Sequence, residues 1–350
     1  TRDKNAIKAW EKEHDREIQA IKCIQFFFFS QWNAVKKYAN EREISIIGDI
    51  PIFVAADSAD VWANQELFQL NPDGSPKSVA GVPPDYFSKT GQLWGNPVYD
   101  WKALKKSGYE WWKKRILAAL SMVDIIRVDH FRGFEAYWSV PAADKTAENG
   151  TWIPGPGHDF FKSIKQALGE IPLLAEDLGV ITDAVAKLRD DFHFPGMKVL
   201  QFAFDVQETQ QTALRNTFLP HMYSENCIVY TGTHDNATMK QWIDEANDEQ
   251  KQMVSDYLGF SGSSDEMVYK LIRLAFMSVA RYAIIPLQDI YALGAEGRMN
   301  TPSTAGGNWT WRMDGTHFST TKAKWLKKLS HLYARNLTAY GHREGKNDLK

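Results

Sequence analysis

Short apolar runs rich in β-branched residues alternate along the chain with segments whose apolar residues recur at helical spacing. The short runs predict strands that are covered on both faces, at 44–54, 124–129, 171–176, 197–204, 227–233 and 282–289. The helical spacing predicts helices at 5–40, 108–121, 158–168, 181–191, across 236–280 and at 319–336. Strands that alternate with helices indicate parallel βαβ units, and therefore an α/β fold.

Two α/β architectures are compatible with this alternation. A doubly wound open sheet usually has a glycine-rich phosphate turn after its first strand, and Gly48-Asp49-Ile50-Pro51 is not such a turn. A closed (β/α)8 TIM barrel needs eight strands, whereas the pattern predicts six. We therefore predict one catalytic TIM barrel domain over residues 1–350 that lacks the first two βα units and is N-terminally incomplete. Its long loop insertions are predicted at about 55–107, 139–158 and 294–315.

Composition excludes several classes of partner. The 350 residues carry a formal net charge of only −2, with acids and bases interspersed, which argues against nucleic acid or an anionic membrane. No run approaches the length of a membrane span. Cys23 and Cys227 lack metal-ligand spacing, and two lone thiols are typical of a reducing, cytoplasmic compartment.

Three of the predicted strands end in acidic motifs, which contain Asp129, Glu176 and Asp235. The carboxyl ends of parallel strands are where a barrel enzyme holds its chemistry. Three carboxylates from three strands predict glycoside chemistry with a nucleophile, a proton donor and a stabiliser.

Asp129 follows Arg127 at a spacing of two, so both side chains leave a strand on the same side. An adjacent arginine keeps a carboxylate ionised and oriented, as a nucleophile requires. A structural salt bridge explains an isolated Arg-x-Asp equally well. His130 and Arg132 lie close to this pair in the sequence, and their presence there favours a functional site over a structural salt bridge.

Glu176 follows the apolar residues Leu173-Leu174-Ala175, which supply the kind of surroundings that raise the pKa of a proton donor. Taken alone, Glu176 is equally consistent with a solvated loop carboxylate. Asp177 should point to the opposite side and cap a helix.

The pair His234-Asp235 offers both a donor and an acceptor to sugar hydroxyls. Metal binding is the rival, but the histidines show no metal-ligand array, so we expect no metal. A Ser-His-Asp triad is also disfavoured, because the sequence has no Gly-x-Ser-x-Gly elbow.

The segment 80–99 combines stiffening prolines with flexible glycines and aromatic rings. Tyr86, Phe87 and Trp94 could form platforms for sugar rings, whose C–H faces pack on flat apolar surface. An ordinary rigid surface loop is the alternative. The length and aromatic density of the segment favour a lid over a sugar groove.

These motifs together resemble the 4-α-glucanotransferases, the amylomaltase or disproportionating-enzyme family related to α-amylases. The resemblance runs from about Ile44 to the C-terminus. It rests on the motifs GDIPIFV (48–54), GVPPDYF (81–87), WGNP (94–97), RVDHFRG (127–133), AEDLG (175–179), THDN (233–236) and RMNTP (298–302). The RVD and THDN elements fit any α-amylase relative, whereas the PPDYF loop is specific to the transferases.

The resemblance implies a role for each matching residue. Asp129 matches the nucleophile, Glu176 the acid/base and Asp235 the transition-state stabiliser. The remaining matches are to substrate-binding positions, namely Arg127, His234, Tyr86, Phe87, Trp94, Asp49 and Asn300. The family needs no metal or organic cofactor. Its implied partners are malto-oligosaccharide or starch-derived glucan donors and acceptors, with neither nucleic acid nor membrane.

The resemblance also implies retaining double displacement of an α-1,4-glucan. We then expect the carboxyl groups of Asp129 and Glu176 to lie about 5–5.5 Å apart, since a larger separation is typical of inversion. An amylase-type hydrolase and a non-catalytic glucan-binding barrel remain the alternatives at this point.

Overall fold

The computed structural model describes residues 2–84, 88–204, 216–302, 304 and 306–335. The chain divides into two compact units, Thr1–Leu174 and Ala175–Lys350. Each unit combines helices with strands, so the predicted mixed α/β class is confirmed. The prediction of a single barrel domain stays a prediction.

The longer helices of the first unit agree with the periodic segments, and two short ones lie in the predicted insertion 55–107. They are α1 (Lys4–Glu13), α2 (Asp15–Asn40), α3 (Ala59–Ala63), α4 (Trp101–Lys106), α5 (Glu110–Met122) and α6 (Gly157–Leu168). The one helix predicted over 5–40 is two helices, because His14 has non-helical dihedral angles of φ −109° and ψ 25°. The indole of Trp32 on α2 donates to the Met122 carbonyl at the end of α5 (2.8 Å), which holds these two helices together.

The strands of the first unit are β1 (Ile47–Pro51), β2 (Ser78–Val82), β3 (Gln92–Pro97), β4 (Ile125–Asp129), β5 (Ala136–Pro141), β6 (Thr151–Pro154) and β7 (Leu173–Ala175). β1, β4 and β7 form a three-stranded sheet with β4 in the centre. β1 and β4 pair in parallel, from Ile47 opposite Ile125 to Pro51 opposite Asp129. α5 buries Trp112, Ile116 and Ala119. The predicted parallel pairing is therefore confirmed for β1 and β4.

The segments predicted as irregular insertions contain ordered strands. β3, β2, β5 and β6 form a four-stranded antiparallel sheet in that order. β2 and β3 come from the predicted insertion 55–107, and β6 comes from 139–158. Glycine and proline interrupt the alternation of apolar and polar residues in these segments, so the pattern does not reveal the strands. The pairing of β2 with β5 is a long-range contact.

The second unit contains β8 (Gly196–Val199), β9 (Cys227–Tyr230) and β10 (Tyr282–Ile284). They form a parallel sheet with β9 in the centre. Its helices are α7 (Asp183–Asp191), α8 (Leu200–Ala203), α9 (Met239–Glu245), α10 (Asp248–Leu258), α11 (Ser264–Met277), α12 (Leu287–Ile290) and α13 (Thr320–Leu332).

Two predicted strands of this unit extend too far. The run 197–204 becomes helical at Leu200, and the run 282–289 becomes helical at Leu287. A short apolar run cannot by itself distinguish a buried strand from a buried helix. Each change from strand to short helix occurs at the carboxyl end of a parallel strand.

The core of the second unit is built largely on α11. This helix begins with a capping box between Ser263 and Glu266 and buries seven of its side chains. The buried cluster also includes residues of β9, α9 and α13, among them Val229, Met239 and Leu329. Within the described part of the chain, none of the helices is long and apolar enough to cross a membrane.

Candidate active site

Asp129 ends β4, and Arg127 lies two residues earlier on the same side, as predicted. Nη2 of Arg127 is 3.0 Å from Oδ1 of Asp129. Nη1 of the same guanidinium pairs with Oδ2 of Asp49, and the parallel register places Asp49 on β1 directly opposite Arg127. The Arg127 side chain is 10% exposed and that of Asp129 is 45% exposed. A buried cation therefore orients a carboxylate that solvent-borne molecules can reach.

His130 follows Asp129 in the left-handed region, with φ 54°. Burial, with a smaller contribution from the nearby Arg132 charge, lowers the pKa of His130 to about 3. The imidazole is therefore neutral near pH 7. Trp94 on β3 meets this ring edge-on, with the ring centroids 4.8 Å apart. The structure thus brings Trp94 to the end of the strand that carries Asp129.

Arg132 is buried, and its guanidinium lies over the ring of Trp152 on β6, 3.9 Å from the ring centroid. Burial lowers its pKa. A stacked cation of this kind stabilises the contact between the 131–134 turn and the antiparallel sheet.

Glu176 directly follows β7, and its Oε1 accepts a hydrogen bond from the Leu178 backbone N–H at 2.9 Å. Asp177, beside it, does not cap a helix as predicted, since Thr182 caps α7 instead. Asp177 is buried and forms an ion pair with Arg189. Burial raises the pKa of Asp177, and the Arg189 charge opposes that rise.

Asp235 lies in the loop after β9, and both of its carboxylate oxygens have partners. Nε2 of His234 is 3.2 Å from Oδ2, and Nδ2 of Asn300 donates to Oδ1 at 2.6 Å. Arg298 holds the same arrangement from the backbone side. It donates to the carbonyl of Asp235 at 3.3 Å and to the carbonyl of Asn300 at 3.0 Å.

A cavity of about 170 Å³ lies beside this loop in the second unit. Trp309 lines it and packs against His234, with the ring centroids 5.1 Å apart. Arg298 belongs to the RMNTP motif but is not among the predicted site residues, and neither is Trp309. The Gly/Asn/Trp-rich composition of 294–315 was the available signal for both.

Asp289 lines the same cavity and connects both ends of the loop that carries His234 and Asp235. Its Oδ2 accepts from the Thr231 hydroxyl at 2.5 Å, and its Oδ1 accepts from the Met239 backbone N–H at 2.7 Å. Burial raises the pKa of Asp289. Asp289 is not among the predicted site residues, although it ends the apolar run 282–289 and so shares the position that selected the other acids.

Seven of the predicted residues thus form two groups, each within one unit, and Glu176, which directly follows β7, is the remaining described residue of the prediction. Asp49, Trp94, Arg127 and Asp129 come together in the first unit, and His234, Asp235 and Asn300 come together in the second. Tyr86 and Phe87 lie outside the described residues. Among the residues that are described, no three His, Cys, Asp or Glu side chains converge as a metal-holding group. Both cysteines are free, Cys23 exposed and Cys227 buried.

Comparisons with known proteins identify the family. The family model described as 4-alpha-glucanotransferase matches residues 1–322, beginning upstream of the motifs that carry the resemblance. The 4-alpha-glucanotransferase of Synechocystis sp. is 52% identical over 339 residues, which are 96% of this chain and 66% of that protein. The chloroplastic/amyloplastic 4-alpha-glucanotransferase of Solanum tuberosum is 49% identical over 311 residues, 89% of this chain and 53% of that protein.

A solved structure agrees with these relatives. The amylomaltase from Streptococcus agalactiae, in complex with acarbose, is 38% identical and superposes with a TM-score of 0.90, covering 95% of this chain and 66% of that one. The chain therefore spans about two thirds or less of the length of these similar proteins. Because the family model matches most of its length, the chain belongs to the 4-alpha-glucanotransferase family.

Proposed function

We propose that the whole protein is a 4-alpha-glucanotransferase that moves α-1,4-glucan segments between malto-oligosaccharides by retaining double displacement. The observation that carries the proposal is Asp129, an accessible carboxylate that Arg127 orients from a buried position. Membership of the family supports the same reaction.

In the proposed first step, the Asp129 carboxylate attacks the anomeric carbon of the donor glucan, and a glycosyl ester forms. A nucleophilic carboxylate must be ionised and fixed in direction. Arg127 meets both needs, and its second contact with Asp49 prevents the guanidinium from turning away. We infer that Asp49 acts through Arg127, which refines its predicted role as a residue that lines the groove.

We assign the acid/base role to Glu176. As the glycosidic bond breaks, Glu176 protonates the leaving oxygen, and it then removes the proton from the 4-hydroxyl of the acceptor, which displaces Asp129. The hydrogen bond from the Leu178 backbone to Oε1 supports this role, because it restrains the carboxyl group at the end of β7.

We assign to Asp235 the role of stabilising the distorted sugar ring through its hydroxyls. Such a group must hold its direction while the ring changes shape. The contacts with His234 and Asn300 restrain the Asp235 carboxylate on both sides. His234, which also packs against Trp309, would contact the same sugar.

Transfer exceeds hydrolysis only if an acceptor sugar outcompetes water at about 55 M. We propose that Tyr86, Phe87 and Trp94 pack against the acceptor and exclude water. Trp94 supports this idea, because the residue is 37% exposed and its ring lies against His130, next to the proposed nucleophile.

The finer features of the fold are part of the same proposal. We infer that the six parallel strands belong to a (β/α)8 TIM barrel, in one catalytic domain with insertions at about 55–107, 139–158 and 294–315. The parallel pairs β1–β4 and β8–β9–β10 support this inference. Two free thiols support a cytoplasmic location.

Incubation of the whole protein with maltotriose tests the activity. We expect a ladder of longer and shorter malto-oligosaccharides, whereas maltose and glucose alone would indicate an amylase-type hydrolase. Asp129→Asn should reduce transfer by at least about 10³-fold, because the nucleophile is lost. The exposed Asp57→Asn is the matched control and should retain full activity. Full transfer by Asp129→Asn would refute the assignment of the nucleophile.

A further inference from the structure

A buried ion pair lies next to Glu176 in sequence and has no part in the reaction as proposed above. The side chain of Asp177 is 4% exposed and that of Arg189 is 19% exposed. Nη1 of Arg189 pairs with Oδ2 of Asp177, and the Met197 backbone N–H donates to Oδ1 at 2.7 Å. The Asp177 carboxylate thus connects the turn after β7 to both α7 and β8.

The backbone around this pair is shaped to admit it. A Cβ atom at Gly196 would lie 2.6 Å from Oδ2 of Asp177 and 2.8 Å from Nη1 of Arg189. Any side chain at position 196 would therefore force the two charged groups to move. The glycine gives the pair the space to form directly against the first residues of β8.

We infer that Asp177 is a positioning residue, which together with Arg189 fixes the direction of the Glu176 carboxyl group for proton transfer. This inference rests on the acid/base role proposed for Glu176. Adjacent residues on an extended chain point to opposite sides. The Asp177 carboxylate is anchored on one side of the chain. It therefore fixes the backbone from which the Glu176 side chain projects on the other side.

Proton transfer requires that the donor be placed precisely. A proton donor must come within about 2.6–3.2 Å of the leaving oxygen, and a displacement of about 1 Å can cost roughly 10²-fold in rate. Asparagine at position 177 would keep the size of the side chain but lose the charge and one acceptor oxygen. The turn after β7 would then lose one of the two contacts of Asp177, with Arg189 or with the Met197 backbone.

A change of leaving group separates this role from a general loss of structure. When a glucan is the donor, its leaving oxygen takes a proton as the bond to the anomeric carbon breaks. When α-maltotriosyl fluoride is the donor, the carboxylate forms its bond to carbon as the C–F bond breaks. Fluoride then leaves with the bonding electron pair and needs no proton. With a separate acceptor such as glucose in large excess, the donor kcat/KM reports on this first half-reaction for both substrates.

The experiment compares kcat/KM for maltotriose and for α-maltotriosyl fluoride in the whole protein. Asp177→Asn should lower the value for maltotriose by about 10- to 100-fold and that for the fluoride by less than about 3-fold. Arg189→Lys retains the charge but not the planar fork, so we expect the same selective loss in weaker form. This variant decides the question if Asp177→Asn does not fold, as judged by circular dichroism.

Lys187→Gln is the matched control, because it removes an exposed ion pair with Asp191 from the same helix. It should change neither value. An equal loss on both donors, or no loss on maltotriose, would overturn the positioning role. Glu176→Gln keeps the two hypotheses apart: if it also loses both donors equally, the proposed acid role itself fails.

Discussion

Replacement of His130 by asparagine should make the fold less sensitive to acid. His130 is partly buried, and the burial of its ring lowers its pKa from an ordinary 6.5 to about 3. Between these two values the unfolded chain binds a proton that the folded chain does not bind. Stability is therefore fully present above pH 6.5 and falls as the pH is lowered toward 3.

The size of the effect follows from the two pKa values. At pH 4.5 the unfolded histidine is almost fully protonated, and the folded histidine is almost fully neutral. Linkage then gives a loss of about 2.5 kcal/mol between pH 7 and pH 4.5 from this one group. Asparagine removes the titration and tolerates the φ of 54° at this position, since asparagine is enriched in left-handed backbone.

The assay is urea unfolding of wild type and His130→Asn at pH 7 and at pH 4.5. Carboxylates also titrate in this range, so the measured quantity is the difference between the two proteins. The matched control is His193→Asn, which makes the same substitution at an exposed histidine with φ 56°. We expect His193→Asn to lose as much stability on acidification as wild type. If His130→Asn also lost as much stability on acidification as wild type, the result would refute the reasoning.

Two further substitutions test the site and the fold. Asn300→Ala removes a hydrogen bond of 2.6 Å to the carboxylate of Asp235. Since bonds to charged groups contribute about 1.5–3 kcal/mol, kcat for maltotriose transfer should fall about 10- to 100-fold, and an unchanged kcat would contradict the role of Asn300. Gly81→Ala places a Cβ atom 2.3 Å from the Gln92 carbonyl oxygen and should lower the free energy of unfolding by at least about 2 kcal/mol. Gly306→Ala, at a position with open space around it, is the control, and equal stability of the two variants would show that β2 and β3 can separate without cost.

Part of the site could be predicted because its signal is local. The spacing of Arg127 and Asp129 already places both side chains on one side of a strand, and the ion pair at 3.0 Å confirms it. The contact between His234 and Asp235 is local in the same way. The prediction that Asp177 caps a helix was wrong, because Asp177 is buried in an ion pair with Arg189 and Thr182 caps α7. In a sequence, an aspartate buried in an ion pair cannot be distinguished from one that caps a helix until its packing partner is known.

The sequence by itself determined the order of the six strands formed by the apolar runs and of the longer helices, the α/β class and the acids at the ends of the apolar runs. Each of these follows from the periodicity of a few neighbouring residues, which is set by the geometry of one strand or one helix. The long-range contacts were decided only by the tertiary structure. Arg127 meets Asp49 across 78 positions, and Asn300 meets Asp235 across 65. The same is true of the antiparallel sheet, in which β2 pairs with β5 across a long stretch of sequence. Such contacts depend on which surfaces pack together after the chain folds back on itself, and a local pattern carries no record of its distant partner.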